Sequence, residues 1–165
     1  MTTQGPTIRD AREADIAPVR ALLVETWHDT YDALIGAAKV TEITDSWHSL
    51  ENLNRQLSVP NTTFLVADEG GTIAGHLFAN AQKPAVLFVT RLYVLPSRQR
   101  RGIGRGLLAV AADRHPDCDR MRLEAKAGNE AALAFYRREG FAAVATKVVE
   151  GIDHLEMEKR LSLPA

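Results

Sequence analysis

The sequence predicts an α+β or mixed α/β domain of three layers, in which helices are set among mostly antiparallel strands. Two observations predict this class. Apolar residues follow the helical period over the first third of the chain and the two-residue strand period from Thr63 onward. Helical patterns then return twice between later strands, at 102–115 and after Asn129. The predicted element order is therefore β-α-α-β-β-β-α-β-α-β-β.

Length and composition are those of one globular domain. The 165 residues are 45% apolar and carry a net charge of −1, which predicts one domain over 1–165 with an ordered core at about 6–161. No apolar stretch reaches membrane-spanning length and no apolar signal region opens the chain, so we expect a cytoplasmic protein without membrane partners. Cys118 is the single cysteine, which excludes a disulfide or cysteine-based zinc site within the chain, and we expect no metal.

The first third of the chain is predicted to contain one strand and two helices. Residues 7–9 form a short strand, residues 15–31 form a helix with one apolar face, and residues 39–58 form a second helix. Trp27 and Trp47 fall on the apolar stripes of these helices. Core packing is therefore the expectation for both indoles.

The middle of the chain reads as three strands. Residues 64–67 and 72–79 flank Asp68-Glu69-Gly70-Gly71, a hairpin turn whose glycines accept positive φ. A third strand covers residues 86–94 after Pro84.

The last third alternates strand, helix and hairpin. Residues 120–126 alternate apolar with charged side chains, so one face is expected to be buried and the other to meet solvent or ligand. Asn129 can cap the next helix and Gly140 can end it. Residues 141–149 and 152–161 then form a hairpin around Glu150-Gly151.

The most informative segment is 94–108. Here a strand pattern runs through Pro96 and a basic run into Gly102 and Gly104, which open an amphipathic helix. Glycines remove the Cβ atoms that would keep a ligand off the main chain, so the amides of the first helical turn can point at phosphate oxygens. Four arginines supply countercharge: Arg98, Arg100, Arg101 and Arg105.

The charge distribution predicts the same kind of site. Residues 70–112 contain no Asp or Glu but carry six cations: Lys83, Arg91, Arg98, Arg100, Arg101 and Arg105. Because the whole chain is at −1, the remainder carries −7. Such segregation in a nearly neutral chain favours a small polyanion over a nucleic acid as the ligand.

Two motifs resemble those of a known family. Residues 99–104, Gln-Arg-Arg-Gly-Ile-Gly, match the [Q/R]-x-x-G-x-[G/A] signature of the GCN5-related N-acetyltransferases (GNAT), and Val94-x-Pro96 resembles the family's strand exit. Residues 129–141 resemble its N-x-x-A-x-x-F-Y-x-x-x-G-F segment. The resemblance, over about 6–161, implies the three-layer acyl-CoA N-acyltransferase fold. It also implies acetyl-CoA as cofactor, a small-molecule or peptide amine as acceptor, and a possible homodimer.

The resemblance implies roles for individual residues. In the family, the strands corresponding to those that end at Val94 and near Lys126 splay apart and leave main-chain groups free for the pantetheine arm. A main-chain N–H near Val94 would polarise the thioester carbonyl, and Tyr136 would act as general acid toward the departing thiolate. Trp27 and Tyr31, with Trp47, would wall the acceptor site. The cofactor-binding set comprises Leu92, Tyr93, Val94, Gln99, Arg100, Arg101, Gly102, Ile103, Gly104, Arg105, Asn129 and Tyr136.

The sequence predicts no single general base. Many relatives place a Glu on the strand before the phosphate loop, but residues 87–94 contain no carboxylate. Glu124, on the polar face of its strand, and His28, which could titrate near neutrality, rank first. A water chain that relays the proton is an alternative. The other candidates are Glu25, Tyr31, His76 and His154.

Two other functions also stay open. Residues 104–109 fit the G-x-G-x-x-A fingerprint, and Glu124 follows Gly104 by 20 residues, which is the pattern of an NAD-dependent oxidoreductase. Against this, seven residues separate Val94 from Gly102, whereas the fingerprint needs a strand that runs directly into its glycine turn. The second alternative is a non-catalytic acyl-CoA sensor.

Overall fold

The computed structural model describes residues 5–82, 84–149 and 151–161. Some predicted features lie outside these residues. They are Lys83, one of the six cations of residues 70–112, Glu150 of the predicted turn, and both ends of the expected domain, at 1–4 and 162–165. Within them, a seven-stranded sheet carries helices on both faces. The strands are β1 (Thr7–Asp10), β2 (Thr62–Glu69), β3 (Thr72–Gln82), β4 (Val86–Val94), β5 (Arg120–Lys126), β6 (Ala142–Val149) and β7 (Ile152–Arg160). The helices are α1 (Ile16–Ile35), α2 (Ala37–Trp47), α3 (Leu50–Gln56), α4 (Ile103–Arg114) and α5 (Glu130–Arg138).

The predicted fold class is confirmed, with one extra helix break. The strand order across the sheet is β1-β2-β3-β4-β5-β7-β6, and every neighbouring pair except β4 and β5 is antiparallel. The single helix expected over 39–58 is two helices, because Ser49 Oγ accepts a hydrogen bond from the Asn52 amide (3.1 Å) and so caps a new helix. No helix among the described residues is long and apolar enough to cross a bilayer.

The core is divided between the two faces of the sheet. Helices α4 and α5 pack on one face, around Leu77, Leu107 and Leu123. Helices α1 and α3 pack on the opposite face, where Leu23 and Phe64 are buried. The two helical layers therefore lie on opposite sides of the central strands.

Strands β4 and β5 separate halfway along their length. Residues 86–89 pair in parallel with residues 120–123, and the pairing stops there. Thr90 is the extra residue of a β-bulge, since Arg91 and Val89 pair with successive residues of β3. Beyond it, β4 stays paired only with β3 and β5 only with β7. This confirms the splay that the resemblance implied, and we call the opening between residues 90–94 and 124–126 the gap.

Gly75 on β3 sets how closely α4 approaches the sheet. A Cβ atom at this position would lie 2.9 Å from Ile103 Cγ2 and 3.2 Å from Leu107 Cδ1. Both contacts belong to the first two turns of α4. The absence of a side chain at Gly75 therefore helps to hold the N-terminus of α4 next to the gap.

We expect Gly75→Ala to lower the free energy of unfolding by about 1–3 kcal/mol, because the added methyl group overpacks this contact. Urea unfolding measures the change. Gly5→Ala is the matched control, since a Cβ there meets no atom within 4 Å, and it should shift stability by less than about 0.5 kcal/mol. Equal stability of the two variants would contradict the close approach.

A guanidinium group is buried on the α1 side of the sheet. Arg91 is only 5% exposed; its Nε donates to His76 Nε2 (3.0 Å) and its Nη2 donates to Gln56 Oε1 (2.6 Å). Since His76 Nε2 accepts, the ring hydrogen lies on Nδ1, which donates to the Leu65 carbonyl (3.0 Å). In the described part of the chain, no carboxylate pairs with Arg91. Burial, and then the charge of Arg91, lower the pKa of His76, and the same two causes lower the pKa of His48 to about 3.

Stability is therefore expected to fall as the pH drops below about 6.5. Both rings are neutral in the folded chain, whereas in the unfolded chain they take up protons below their ordinary pKa. Each contributes a slope of up to about 1.4 kcal/mol per pH unit between roughly pH 6 and pH 4. Urea unfolding at several pH values measures it, and His48→Gln should remove one such contribution. A slope that His48→Gln leaves unchanged would show that His48 is not buried in its neutral form.

Candidate active site

The loop between β4 and α4 presents a row of backbone N–H groups. Among the described residues, no acceptor takes a hydrogen bond from the amides of residues 100–105; the first amide with a helical partner is that of Gly106, which donates to the Gly102 carbonyl (3.0 Å). Arg100 and Gly102 both adopt left-handed conformations, with φ of 66° and 80°. Such residues curve the chain so that neighbouring amides point into one concavity, which favours an anion.

The glycines of this loop have different roles. Gly102 has open space around its Cα, whereas a Cβ at Gly104 would lie 3.0 Å from Phe135 Cζ. The expectation that both glycines clear room for a ligand is therefore wrong for Gly104, which lets α4 pack against α5. A Cβ at Gly106 would likewise lie 2.8 Å from Ile8 Cδ1. Because these glycines pack on protein and the sheet is mostly antiparallel, the structure contradicts a dinucleotide-binding fold.

The four arginines predicted to supply countercharge differ in whether a carboxylate already pairs with them. Arg98 Nε lies 2.9 Å from a Glu69 carboxylate oxygen, and Arg105 Nε lies 3.0 Å from Glu139. Arg101 is exposed and lies 3.8 Å from the same Glu69, and Arg100 makes no ion pair with any described residue. Glu69 lies one position before residues 70–112, the segment without Asp or Glu. The charge distribution of that segment therefore did not predict the ion pairs with Glu69. Arg100 and Arg101 are the side chains most available to an anionic ligand.

Two amides at the end of β4 face the gap. Leu95 N–H donates to the Ala74 carbonyl on β3 (2.9 Å). Hydrogen-bonding direction alternates along an antiparallel strand, so the N–H groups of Leu92 and Val94 point to the β5 side. The backbone of Tyr93 points to β3 instead, so its N–H and carbonyl groups do not face the gap. Gln99 Nε2 donates to the Val94 carbonyl (3.2 Å) and ties the loop to the end of the strand.

All three tyrosines of the chain meet at the gap. Burial, together with neighbouring Tyr31, raises the pKa of Tyr136, and burial together with both other tyrosines raises the pKa of Tyr93. Asn129 Oδ1 accepts from the Ala132 amide (3.2 Å) and caps α5, as predicted, while its Nδ2 donates to Tyr31 Oη (3.3 Å). Side chains from the two helical layers thus touch where the sheet is open, and Tyr136 is held in its protonated form at neutral pH.

Aromatic rings line the α1 side of the gap. Trp27 is 3% exposed, which confirms its predicted burial. Trp47 is 45% exposed, so its predicted core position is wrong; the chain turns immediately after it, and its ring lies edge-on to Trp27 at 6.2 Å. Lys126 Nζ lies 4.7 Å from the ring centroids of both Trp27 and Tyr31. Lys126 was not among the predicted site residues, because only the folded chain brings its strand to these rings.

The structure separates the leading candidates for the general base. The Nδ1 of His28 lies 2.6 Å from Asp32 Oδ1, and its Nε2 lies 3.4 Å from Thr41 Oγ1. The first contact lies within α1 and the second joins α1 to α2. Neither contact involves a tyrosine, so no hydrogen bond among the described residues ties His28 to the tyrosines at the gap. Glu124, on β5, forms an ion pair with Lys147 of β6.

The two remaining histidine candidates for the general base, His76 and His154, differ in their access to solvent. His76 is fully buried and hydrogen-bonded on both ring nitrogens, so it cannot exchange protons with the gap. His154 pairs in register with Lys126 and lines a cavity of about 290 Å³. Its Nε2 has no hydrogen-bond partner among the described residues, and burial, then Lys126, lower its pKa.

Comparison with known proteins agrees with this geometry. Residues 31–161 match the family model described as Acetyltransferase (GNAT) domain. The chain is 27% identical over 139 residues to the peptidyl-lysine N-acetyltransferase YiaC of Escherichia coli (strain K12). This alignment covers 83% of this chain and 84% of that protein. The chain is also 36% identical over 94 residues to the N-alpha-acetyltransferase RimI of Mycobacterium tuberculosis, and this alignment covers 55% of this chain and 59% of that protein.

A solved structure shares the fold. The crystal structure of the PaiA N-acetyltransferase of Thermoplasma acidophilum, in complex with coenzyme A, matches with a TM-score of 0.86 at 22% identity, over 96% of this chain and 100% of that one. The family match spans most of the chain, from Tyr31 in α1 to the end of β7. The chain therefore belongs to the GNAT family of acetyltransferases.

Proposed function

We propose that this protein is an acetyl-CoA-dependent N-acetyltransferase, which moves the acetyl group to a primary amine of a small molecule or peptide by direct attack. The observation that carries the proposal is the row of unpartnered amides at residues 100–105 beside the unpaired edge of β4. Family membership supports the reaction class. The names of YiaC and RimI support an amine acceptor on a protein or peptide.

The residues at the gap fit acetyl-CoA, which supplies the activated acyl group as a thioester. The amides of residues 100–105 suit the diphosphate, with countercharge from Arg100 and Arg101. Arg105 contributes through its N–H, since its side chain is paired with Glu139. The free N–H groups of Leu92 and Val94 suit the amide groups of the pantetheine arm, which would pair with the strand as an extended peptide does.

We assign two groups of the chain to the transfer. The Val94 N–H would donate to the carbonyl oxygen as negative charge develops on it, in an orientation already fixed by β4. As the new C–N bond forms and the C–S bond breaks, the Tyr136 hydroxyl would give its proton to the thiolate sulfur. Its raised pKa supports this role because the hydroxyl stays protonated until it is needed.

Removal of the amine proton is assigned to Glu124 through water. Glu124 lies two residues before Lys126, on the same face of β5, and that face is turned toward the α1 side. His28 is disfavoured by its hydrogen bonds to Asp32 and Thr41. Trp27 and Tyr31 would wall the acceptor on this side of the sheet.

The test of the function is thiol release from acetyl-CoA, measured across a panel of diamines, amino acids and peptides with free N-termini or lysines. We expect release with at least one amine, and micromolar binding of acetyl-CoA by calorimetry. Binding without turnover of any acceptor would favour a non-catalytic sensor. Absence of acetyl-CoA binding would overturn the proposal.

Arg101→Ala is expected to raise the Kd for acetyl-CoA by about five- to tenfold, because it removes an exposed cation beside the diphosphate. The loss should shrink as salt is added. Arg114→Ala is the matched control, because Arg114 lies at the far end of α4 and pairs with Asp10 (2.7 Å). The same loss of affinity in both variants would point to overall charge rather than to the loop.

Tyr136→Phe is expected to lower kcat by about 100-fold while the Kd for acetyl-CoA stays within about twofold, since only the proton donor is removed. Steady-state kinetics and calorimetry give the two quantities. Tyr31→Phe also removes one hydroxyl from the tyrosine cluster and should act on the KM of the acceptor more than on kcat. Undiminished turnover by Tyr136→Phe would exclude Tyr136 as the acid.

A further inference from the structure

We propose that the ring faces of Trp27 and Tyr31 form a binding site for an ammonium group of the acceptor, and that Lys126 occupies this site until the acceptor displaces it. The assignment to the acceptor rests on the proposed function. The existence of the cation site does not, and it can be tested without any acyl transfer.

The rings already hold a cation. Lys126 Nζ lies 4.7 Å from each ring centroid, within the range of about 6 Å in which an ammonium is attracted by an aromatic face. The two rings are one helical turn apart on α1; their centroids are 4.7 Å apart and their planes are inclined by 52°. The two faces therefore converge on one point instead of lying flat, and both side chains are buried.

The position of Lys126 places this point at the mouth of the gap. Lys126 is the last residue of β5, whereas Trp27 and Tyr31 belong to the layer that packs over β4, where the Tyr93 ring lies 6.3 Å from Trp27. The lysine side chain thus crosses the opening from one separated strand to the layer above the other. The N-terminus of α4 lies on the opposite face of the sheet, so the α1 face is the side left for the acceptor.

The chemistry of the site indicates the class of acceptor. A cation on an aromatic face is stabilised in its charged form, yet an amine must be neutral to attack a thioester. The ammonium held by Trp27 and Tyr31 is therefore not the group that reacts. The acceptor is an amine that carries a second cationic group, with one nitrogen at the rings and the other at the thioester.

Because Lys126 competes for the ring faces, mutation of this lysine is expected to raise the affinity of the site for an external cation. An external cation must compete with a tethered one, so the apparent affinity is reduced by the fraction of time that the site is occupied. Removing the lysine charge should then tighten the binding of a simple cation. Tetramethylammonium is a suitable probe because it cannot donate hydrogen bonds and relies on the ring faces.

Fluorescence can report on the site directly. The chain has two tryptophans, Trp27 and Trp47, so a Trp47→Phe background leaves Trp27 as the only indole. In this background, without acetyl-CoA and at constant ionic strength, we expect Lys126→Ala to bind tetramethylammonium at least about tenfold more tightly than its parent. Lys126→Arg retains a tethered cation and should bind like the parent. Lys126→Gln, which keeps most of the side chain, gives the same test if the alanine variant does not fold.

A matched control separates local from overall charge. Lys39→Ala removes one positive charge from α2, where Lys39 pairs with Glu42 (3.6 Å). It should leave the affinity for tetramethylammonium unchanged. If Lys126→Ala and Lys39→Ala gain equally, or if Lys126→Ala shows no saturable binding, the cation site is refuted.

The acceptor class has its own readout. In the wild-type enzyme, 1,4-diaminobutane should be acetylated with a kcat/KM at least about tenfold above that of n-butylamine, and Trp27→Leu should abolish the difference while acetyl-CoA affinity is kept. Equal use of the two amines would remove the role of the site in acetylation but not the activity. Tetramethylammonium binding without acetylation of any amine would instead remove the proposed function and leave the cation site standing.

Discussion

The loss of pairing between β4 and β5 is the constraint on which the rest of this molecule depends. A bulge at Thr90 ends the parallel ladder after four residue pairs, inside a sheet that is otherwise continuous. Partly buried backbone groups need a hydrogen-bond partner. No described strand pairs with residues 92 and 94 on the β5 side, so a ligand or water is left to accept from their N–H groups. The same opening lets Asn129 of one layer reach Tyr31 of the other. The cofactor edge, proton donor and acceptor wall that we propose all lie at this one interrupted ladder.

The loop between β4 and α4 is held next to this opening by close packing. The absence of a side chain at Gly75, Gly104 and Gly106 lets α4 pack closely against β3, Phe135 and Ile8. A methyl group at Gly75 or Gly106 would displace a neighbouring side-chain atom. Gly102 has the opposite setting, with positive φ and free space. One short glycine-rich stretch therefore does two things: it fixes a helix on the sheet and it exposes the amides at the start of that helix.

Much of the fold could be predicted from the sequence because strands, turns and caps are local signals. The alternation at 120–126, the turn at Gly70-Gly71 and the Asn129 cap all depend on a few neighbouring residues. The helix break at Ser49 was missed because the apolar period continues across it, and this made Trp47 look buried. The partners of Arg98 and Arg105, the hydrogen bonds of His28 and the contact of Lys126 with two rings join residues distant in sequence, or depend on side-chain direction, which no local pattern contains.

The two helical layers give the opening one further property. The amide row lies at the start of α4 on one face, and the aromatic rings belong to α1 on the other. In the function that we propose, the cofactor and the acceptor would therefore approach from opposite faces, and neither would block the path of the other. A single inhibitor made of a pantetheine-like arm joined through a short spacer to a quaternary nitrogen would thread the sheet and engage both faces at once.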